Sequence, residues 1–325
     1  RNDNEGTIII NYKYKKESIM TNYKKLGLTA LAGSLVASSA MAGALDISGA
    51  AKVSYVSADE TESSGNPYSM TRDITFSGSG EMDNGMTISY FQMLSAGSFS
   101  SSGLTLDMGD AGTAKFMNGA SGGHGIAAYE DKMPTAAEQV WDDLDGQANG
   151  VVTMNSGNTI SYATSLGGAN VSANYNKQTS GGSSYSIGAD MSPADGLMVF
   201  AAMADKYAGP NATTDNTTFG ATYTTGGITV GLQRSNIDVT AANGDADRTH
   251  VAASFAVNED LSISWGMSTV EFEAASKSDQ EDSGFSVSYT MGSMSLTAAA
   301  NGSDNVGGTS GTDDTHKEIG LAFAF

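Results

Sequence analysis

The sequence has no cysteine, only 4 prolines and few basic residues: 16 Lys plus Arg stand against 36 Asp plus Glu among 325 residues, a net charge of −20. Without cysteine there is no disulfide framework, no thiolate zinc site and no Cys nucleophile. The shortage of positive charge speaks against nucleic acid, whose phosphates an acidic surface repels. Charged residues make up 16% of the chain, below the ~25% usual in soluble domains. Nor is there an apolar run near the ~20 residues that a membrane-spanning helix needs. What is abundant is glycine, 40 residues in all, with no three-residue period, so collagen is excluded too. Tyr, Phe and Val recur throughout, which argues against charge-driven disorder. The composition is that of a β-rich, polar chain.

Residues 20–42 read as a Sec signal peptide. Met20 is followed by Lys24 and Lys25, a 12-residue apolar stretch at 26–37, and Ala40-Met41-Ala42. These are a basic region, an apolar region and a small-residue cleavage site in the required order. Residues 1–19 then read as upstream sequence or a misassigned start. Cleavage before Gly43 leaves 283 residues with a net charge of −23.

From 43 to 325 the pattern is short period-two alternation. Ile47, Val53 and Tyr55 alternate with Ser48, Lys52 and Ser54; Phe285, Val287 and Tyr289 alternate with Ser286 and Ser288. Such alternation places apolar side chains on one strand face and small polar ones on the other. Turn signals such as Asp83-Asn84-Gly85, Gly167-Gly168, Gly226-Gly227 and Gly292-Ser293 supply the positive φ of tight hairpins. They alternate with longer polar loops at about 58–68, 96–101, 119–156, 178–182, 208–216, 238–247, 274–282 and 302–315. Tight turns on one side and long loops on the other fit a transmembrane barrel better than a soluble sandwich. The spacing predicts five strands before the 119–156 loop and eleven after it: 45–57, 69–80, 86–95, 102–108, 113–118, 157–165, 169–177, 183–191, 197–206, 217–224, 228–237, 248–257, 261–273, 283–290, 294–301 and 316–325. The expected fold is all-β, a closed antiparallel barrel of about 16 strands. Its interior would be too wide for side chains to fill and would hold water. That accounts for a mean hydropathy of −0.21 in a membrane protein. Tyr55, Phe76, Tyr90, Tyr162, Tyr175, Tyr223, Tyr289 and Phe323 are the candidate lipid-facing aromatics.

Two segments carry a family resemblance. The chain ends Ile319-Gly320-Leu321-Ala322-Phe323-Ala324-Phe325, which resembles the assembly signal of Gram-negative outer-membrane barrels, with Phe323 and Phe325 as its aromatic positions. The hairpin of residues 103–116, Gly-Leu-Thr-Leu-Asp-Met-Gly-Asp-Ala-Gly-Thr-Ala-Lys-Phe, resembles the fourth-to-fifth strand segment of general porins, especially alphaproteobacterial ones. The resemblance implies an outer-membrane homotrimer in contact with lipid. It also implies that the 119–156 loop folds inward and narrows a pore for small hydrophilic solutes and ions. One departure is visible: where the porin hairpin often runs into an Arg, this chain has Met117-Asn118-Gly119.

The loop carries Glu130, Asp131, Glu138, Asp142, Asp143 and Asp145 against one basic residue, Lys132. These are the candidate constriction acids. Lys52 and Lys115 sit on the inward parity of their strands as the basic wall residues, and Arg72 falls on the outward parity. Carboxylates along a narrow path attract cations, so the pore is expected to prefer them. No cofactor is implied. The clusters Asp142-Asp143-Asp145 and Asp279-Glu281-Asp282 read as solvated loops, with oxygen-ligated Ca²⁺ as the alternative. Gly119-Ala120-Ser121-Gly122-Gly123 fits the nucleophile-elbow pattern but lacks the strand–helix alternation of that fold. His124, His250 and His316 show no metal-ligand spacing, and the Asn211 and Asn216 glycosylation patterns read as chance. The competing functions are a substrate-specific channel of the same fold, a barrel hydrolase that would need Ser121 and a histidine, and a secreted adhesin-like β-protein.

Overall fold

A computed structural model describes residues 45–58, 66–119, 123–146, 150–152, 154, 157–178 and 181–325. The signal-peptide reading, like Ser121 of the elbow motif, lies outside the described residues. Sixteen strands close into one antiparallel barrel in which each strand pairs with its sequence neighbours and the first pairs with the last. They are β1 (Asp46–Ala58), β2 (Tyr68–Glu81), β3 (Thr87–Ser95), β4 (Ser98–Asp107), β5 (Thr113–Asn118), β6 (Thr159–Leu166), β7 (Ala169–Lys177) and β8 (Ser183–Ala194). There follow β9 (Leu197–Gly209), β10 (Ala212–Thr225), β11 (Ile228–Val239), β12 (Ala246–Ala256), β13 (Leu261–Phe272), β14 (Gln280–Met291), β15 (Met294–Asp304) and β16 (Asp314–Ala324). Closure follows from the solvent: lipid offers no hydrogen bonds, and a closed sheet leaves no edge unpaired.

The seam is made by β1 and β16, from Ala50 opposite Ala324 to Ala58 opposite His316. Phe325 completes it. Its N–H donates to the Gly49 carbonyl at 2.9 Å, and the Gly49 N–H donates to the Phe325 carbonyl at 2.7 Å. The Phe325 ring lies over Gly49, where a Cβ would meet Cζ at 2.7 Å. A residue without a side chain is what lets the terminal ring seat there.

Alternation divides the wall as the sequence implies. Val53, Tyr55, Phe219 and Phe285 are exposed on the outside, whereas Ser54, Asn174, Thr218, Gln233 and Asn301 are buried on the inside. The candidate outward aromatics Tyr55, Tyr90, Tyr162, Tyr175, Tyr223, Tyr289 and Phe323 are all exposed, and Phe76 shares the outward parity of its partner Ile47. An inverted register would put these rings in water and the serines in lipid. We therefore expect Val287→Arg, on the outer face of β14, to impair assembly by ~2–4 kcal/mol if it lies at the bilayer midplane. The adjacent inward Ser288→Arg should insert normally. Equal yields of the two variants in a heat-modifiable folding assay would contradict the register.

Two loops differ from the sequence expectation. The segment 96–101 is not a loop: β3 and β4 are joined by Ala96-Gly97 alone, both with positive φ (51° and 84°), as a two-residue hairpin turn requires. The irregular pairing between Met93 and Leu94 of β3 and Ser101 and Phe99 of β4 absorbs an extra residue. The segment 208–216 likewise shrinks to Pro210-Asn211, with Asn211 at φ 62°. Long loops therefore do not alternate strictly with tight turns. Serines on both parities of 98–102, and threonines on both parities of 212–218, hide the strand pattern there.

The constriction loop and the channel lumen

The segment between β5 and β6 folds into the barrel and builds the apolar core of the described residues. Ile126, Tyr129, Met133, Val140, Trp141, Leu144, Val151 and Met154 of the loop are buried, packed against Phe200, Ala202, Ala204 and Ala252 of the wall. The wall contributes one large ring and several alanines, so the loop supplies most of the bulk. Tyr129 stacks on Phe200 with centroids 5.2 Å apart and planes at 12°. Burial of side chains of this size stabilises by ~1.5–3 kcal/mol each, so together they offset part of the conformational entropy that the ordered loop loses.

Hydrogen bonds fix the loop's height. Gly125 N–H donates to Ser172 Oγ at 2.9 Å and Ile126 N–H to Ser186 Oγ at 3.0 Å. Ala136 N–H donates to Ser264 Oγ at 2.8 Å and Asp145 N–H to Asp314 Oδ2 at 2.8 Å. The loop thus runs along the inner faces of β7, β8, β13 and β16. Three serines and one aspartate on the inward parity serve as its anchor points.

The candidate acids are placed differently from one another. Asp131, Asp142, Asp143 and Asp145 are exposed residues, while Glu130 and Glu138 are half-buried. Glu138 meets Lys52 Nζ of β1 at 3.0 Å, and the same ammonium reaches Glu318 of β16 at 2.5 Å. Lys52 is therefore clamped between a loop and a wall carboxylate. Although burial opposes it, hydrogen bonds to Asp143 and Lys52 hold the Glu138 carboxyl below its ordinary range. Asp143 also lies 3.7 Å from His316; partial burial, with Glu138 beside it, pushes its carboxyl up to about 6. The Asp142 carboxylate is drawn against the loop backbone, accepting from Gln139 N–H at 2.9 Å. That desolvation, reinforced by Asp131, Asp143 and Glu138, pushes it up to about 7.

Lys132 lies over the Tyr129 ring, 5.6 Å from its centroid. Lys115 faces inward on β5 beside His124, whose imidazole is pushed down to about 4 by burial and by that positive charge. His250 lies under Trp141, ring centroids 4.1 Å apart. His124 belongs to the loop itself, while His250 and His316 face separate parts of it, at Trp141 and Asp143. In the second acidic cluster Asp282 is buried on the inward parity while Glu281 is exposed on the other, so its carboxylates diverge. Sequence reasoning missed Glu318 and Asp314 and read His316 only as a histidine without metal-ligand spacing; these are the wall groups that meet the loop acids. Their inward parity on the last strand was the available signal.

A closed sheet with a lipid-compatible outside, a polar inside and a loop inserted into the lumen defines a membrane channel. The chain belongs to the Gram-negative porin family, whose model matches residues 27–324. Its place is the outer membrane. By sequence it matches no curated protein. Among solved structures it resembles a triple mutant of the Rhodopseudomonas blastica porin, at TM-score 0.63 and 14% identity over 87% of this chain and 100% of that one. It also resembles an anion-selective porin from Comamonas acidovorans, at TM-score 0.64 and 16% identity over the same shares. At such identities the likeness concerns the fold.

Proposed function

We propose that this porin passes small hydrophilic solutes and ions by passive diffusion, prefers cations, and owes that preference to the acids of the 119–156 loop. The observation that carries this reading is the unbalanced charge around the loop. Asp131, Asp142, Asp143 and Asp145 are exposed, Lys132 is held against an aromatic ring, and Lys52 is engaged by two carboxylates. Low-dielectric walls focus such a field, and ordered carboxylates draw cations into a narrow path. The test is the reversal potential across a KCl gradient. Wild type should be cation-selective, and changing Glu130, Asp131 and Glu138 to amides should move the potential toward zero. Anion selectivity, or no shift, would overturn the assignment. Salt should weaken the preference, since the screening length falls from about 10 Å at 0.1 M to 3 Å at 1 M.

The mature chain we infer begins at Gly43, after a signal peptide at 20–42, and assembles as a homotrimer embedded in outer-membrane lipid. Both inferences rest on the cleavage pattern and the family resemblance. Native mass spectrometry of the detergent-extracted complex tests them together: three 283-residue chains are expected. A monomer, or a chain starting before Met20, would be the contrary result.

A further inference from the structure

On the side of the short turns, below the constriction loop, a polar cavity of about 650 Å³ opens between the loop and strands β5–β8. Its walls come from the turn ends of these strands and from the β4–β5 turn, which contributes Asp110, and its roof is the segment of His124 and the short 3-10 turn Gly125–Tyr129. The polar groups lining it hold each other in place. Tyr129 Oη donates to Asp190 Oδ1 at 3.1 Å, and Asn170 Nδ2 donates to Asp190 Oδ2 at 3.0 Å. Ser165 Oγ in turn donates to Asn170 Oδ1 at 3.0 Å. Tyr129 is itself fixed by its stack on Phe200. This chain of bonds runs across three adjacent strands and into the loop, so the surface is preorganised rather than adaptable.

The network is not saturated. Asn170 keeps a second N–H, Ser165 keeps both oxygen lone pairs, and Ser172, which accepts from Gly125 N–H, keeps its O–H to donate. Donors and acceptors therefore alternate along the wall, as the hydroxyls of a polyol do. The lining holds two carboxylates, Asp190, whose oxygens already accept from Tyr129 and Asn170, and Asp110. With no Lys or Arg in the lining and His124 neutral at physiological pH, anionic solutes are excluded, and the hydroxyls of a neutral solute can donate to the acids. The volume lies within the ~300–1,000 Å³ typical of small-molecule sites.

We propose that this cavity is a solute subsite for neutral polyhydroxylated molecules of monosaccharide size, met on the periplasmic side of the constriction. The proposal rests on the passive-channel reading and adds a preferred class of solute to it. A sugar seated there partly occludes the path below the loop, so its residence is read as current noise.

The experiment is single-channel recording in planar bilayers with glucose added to one side at a time. Wild type should show excess noise that saturates with glucose and is stronger for addition from the turn side. Asn170→Leu should weaken half-saturation by about fivefold, the loss of one hydrogen bond, with KCl conductance retained. Ser165→Ala removes a single hydroxyl from the end of the network and supplies the comparison should Asn170→Leu fail to insert. Noise that only follows solution viscosity, or identical noise in Ser165→Ala and Asn170→Leu channels and wild type, overturns the subsite. Stronger block by choline than by glucose overturns the neutral-solute assignment. Absence of KCl conductance in wild type would instead overturn the channel reading itself.

Discussion

Replacing Gly231 by Val is expected to raise single-channel conductance and weaken ion selectivity while leaving the barrel inserted. The loop lies in a bed of inward-facing glycines. A Cβ at Gly231 of β11 would sit 2.6 Å from Pro134 Cδ, and one at Gly266 of β13 would sit 2.9 Å from Val140 Cγ2. At Gly188 of β8 it would collide with the Tyr129 ring. Overpacking of this kind costs about 1–3 kcal/mol. The barrel, held by ladders on every strand, retains its pairing, whereas the loop is held by side chains and a few hydrogen bonds. Strain at the contact is therefore relieved by moving the loop. Gly266→Val should act in the same direction through Val140. Unchanged conductance in both variants would mean that the loop does not set the narrowest section.

The second large effect is on pH dependence. Cation preference should fall as pH drops from 8 to 5, with a midpoint between the values of Asp142, pushed up to about 7, and Asp143, pushed up to about 6. Both carboxyls are raised, so each is neutral below its own value and charged above it. Acidification thus removes about two negative charges from the loop before ordinary carboxylates, near 4, begin to titrate. The groups facing them are Asp131, Glu138 and the Gln139 N–H for Asp142, and Glu138, His316 and Glu318 for Asp143. By linkage, the protonated forms suit the folded loop better. Their contribution to loop packing is complete at low pH and is lost as pH rises through 6 to 7. The same recording therefore gives a tighter, less selective pore in acid and a more selective one in mild alkali. Asp142→Asn should remove the upper part of the transition. A reversal potential that stays flat from pH 8 to 5 would show that these acids do not face the ion path.

Strand parity was legible in particular residues. Val53 and Tyr55 point outward and Lys52 and Ser54 inward because adjacent side chains of a strand must take opposite faces, and lipid and water then sort them. Sixteen strands could be counted for the same reason, with β7 recovered at 169–177 and β5 at 113–118. The pattern failed where composition gave no contrast. Ala96-Gly97 and Pro210-Asn211 are two-residue turns embedded in Ser- and Thr-rich segments, and nothing in those segments separates a loop from a strand with small residues on both faces.

The constriction was visible only as a long acidic segment in the right place. That Lys52 would be clamped between Glu138 and Glu318 depends on residues 86 positions apart and on opposite ends of the chain. Closure of the barrel sets β1 beside β16, and the loop then reaches that seam. The division follows from the range of the forces. Period-two alternation and hairpin turns are local, and the sequence by itself determined the wall, its two faces and its strand number. The path of the loop depends on which inward glycines, serines and alanines leave room for Tyr129, Pro134 and Val140. That fit exists only after the sheet has curved shut, so the tertiary structure alone decided which acids are paired and which stay exposed.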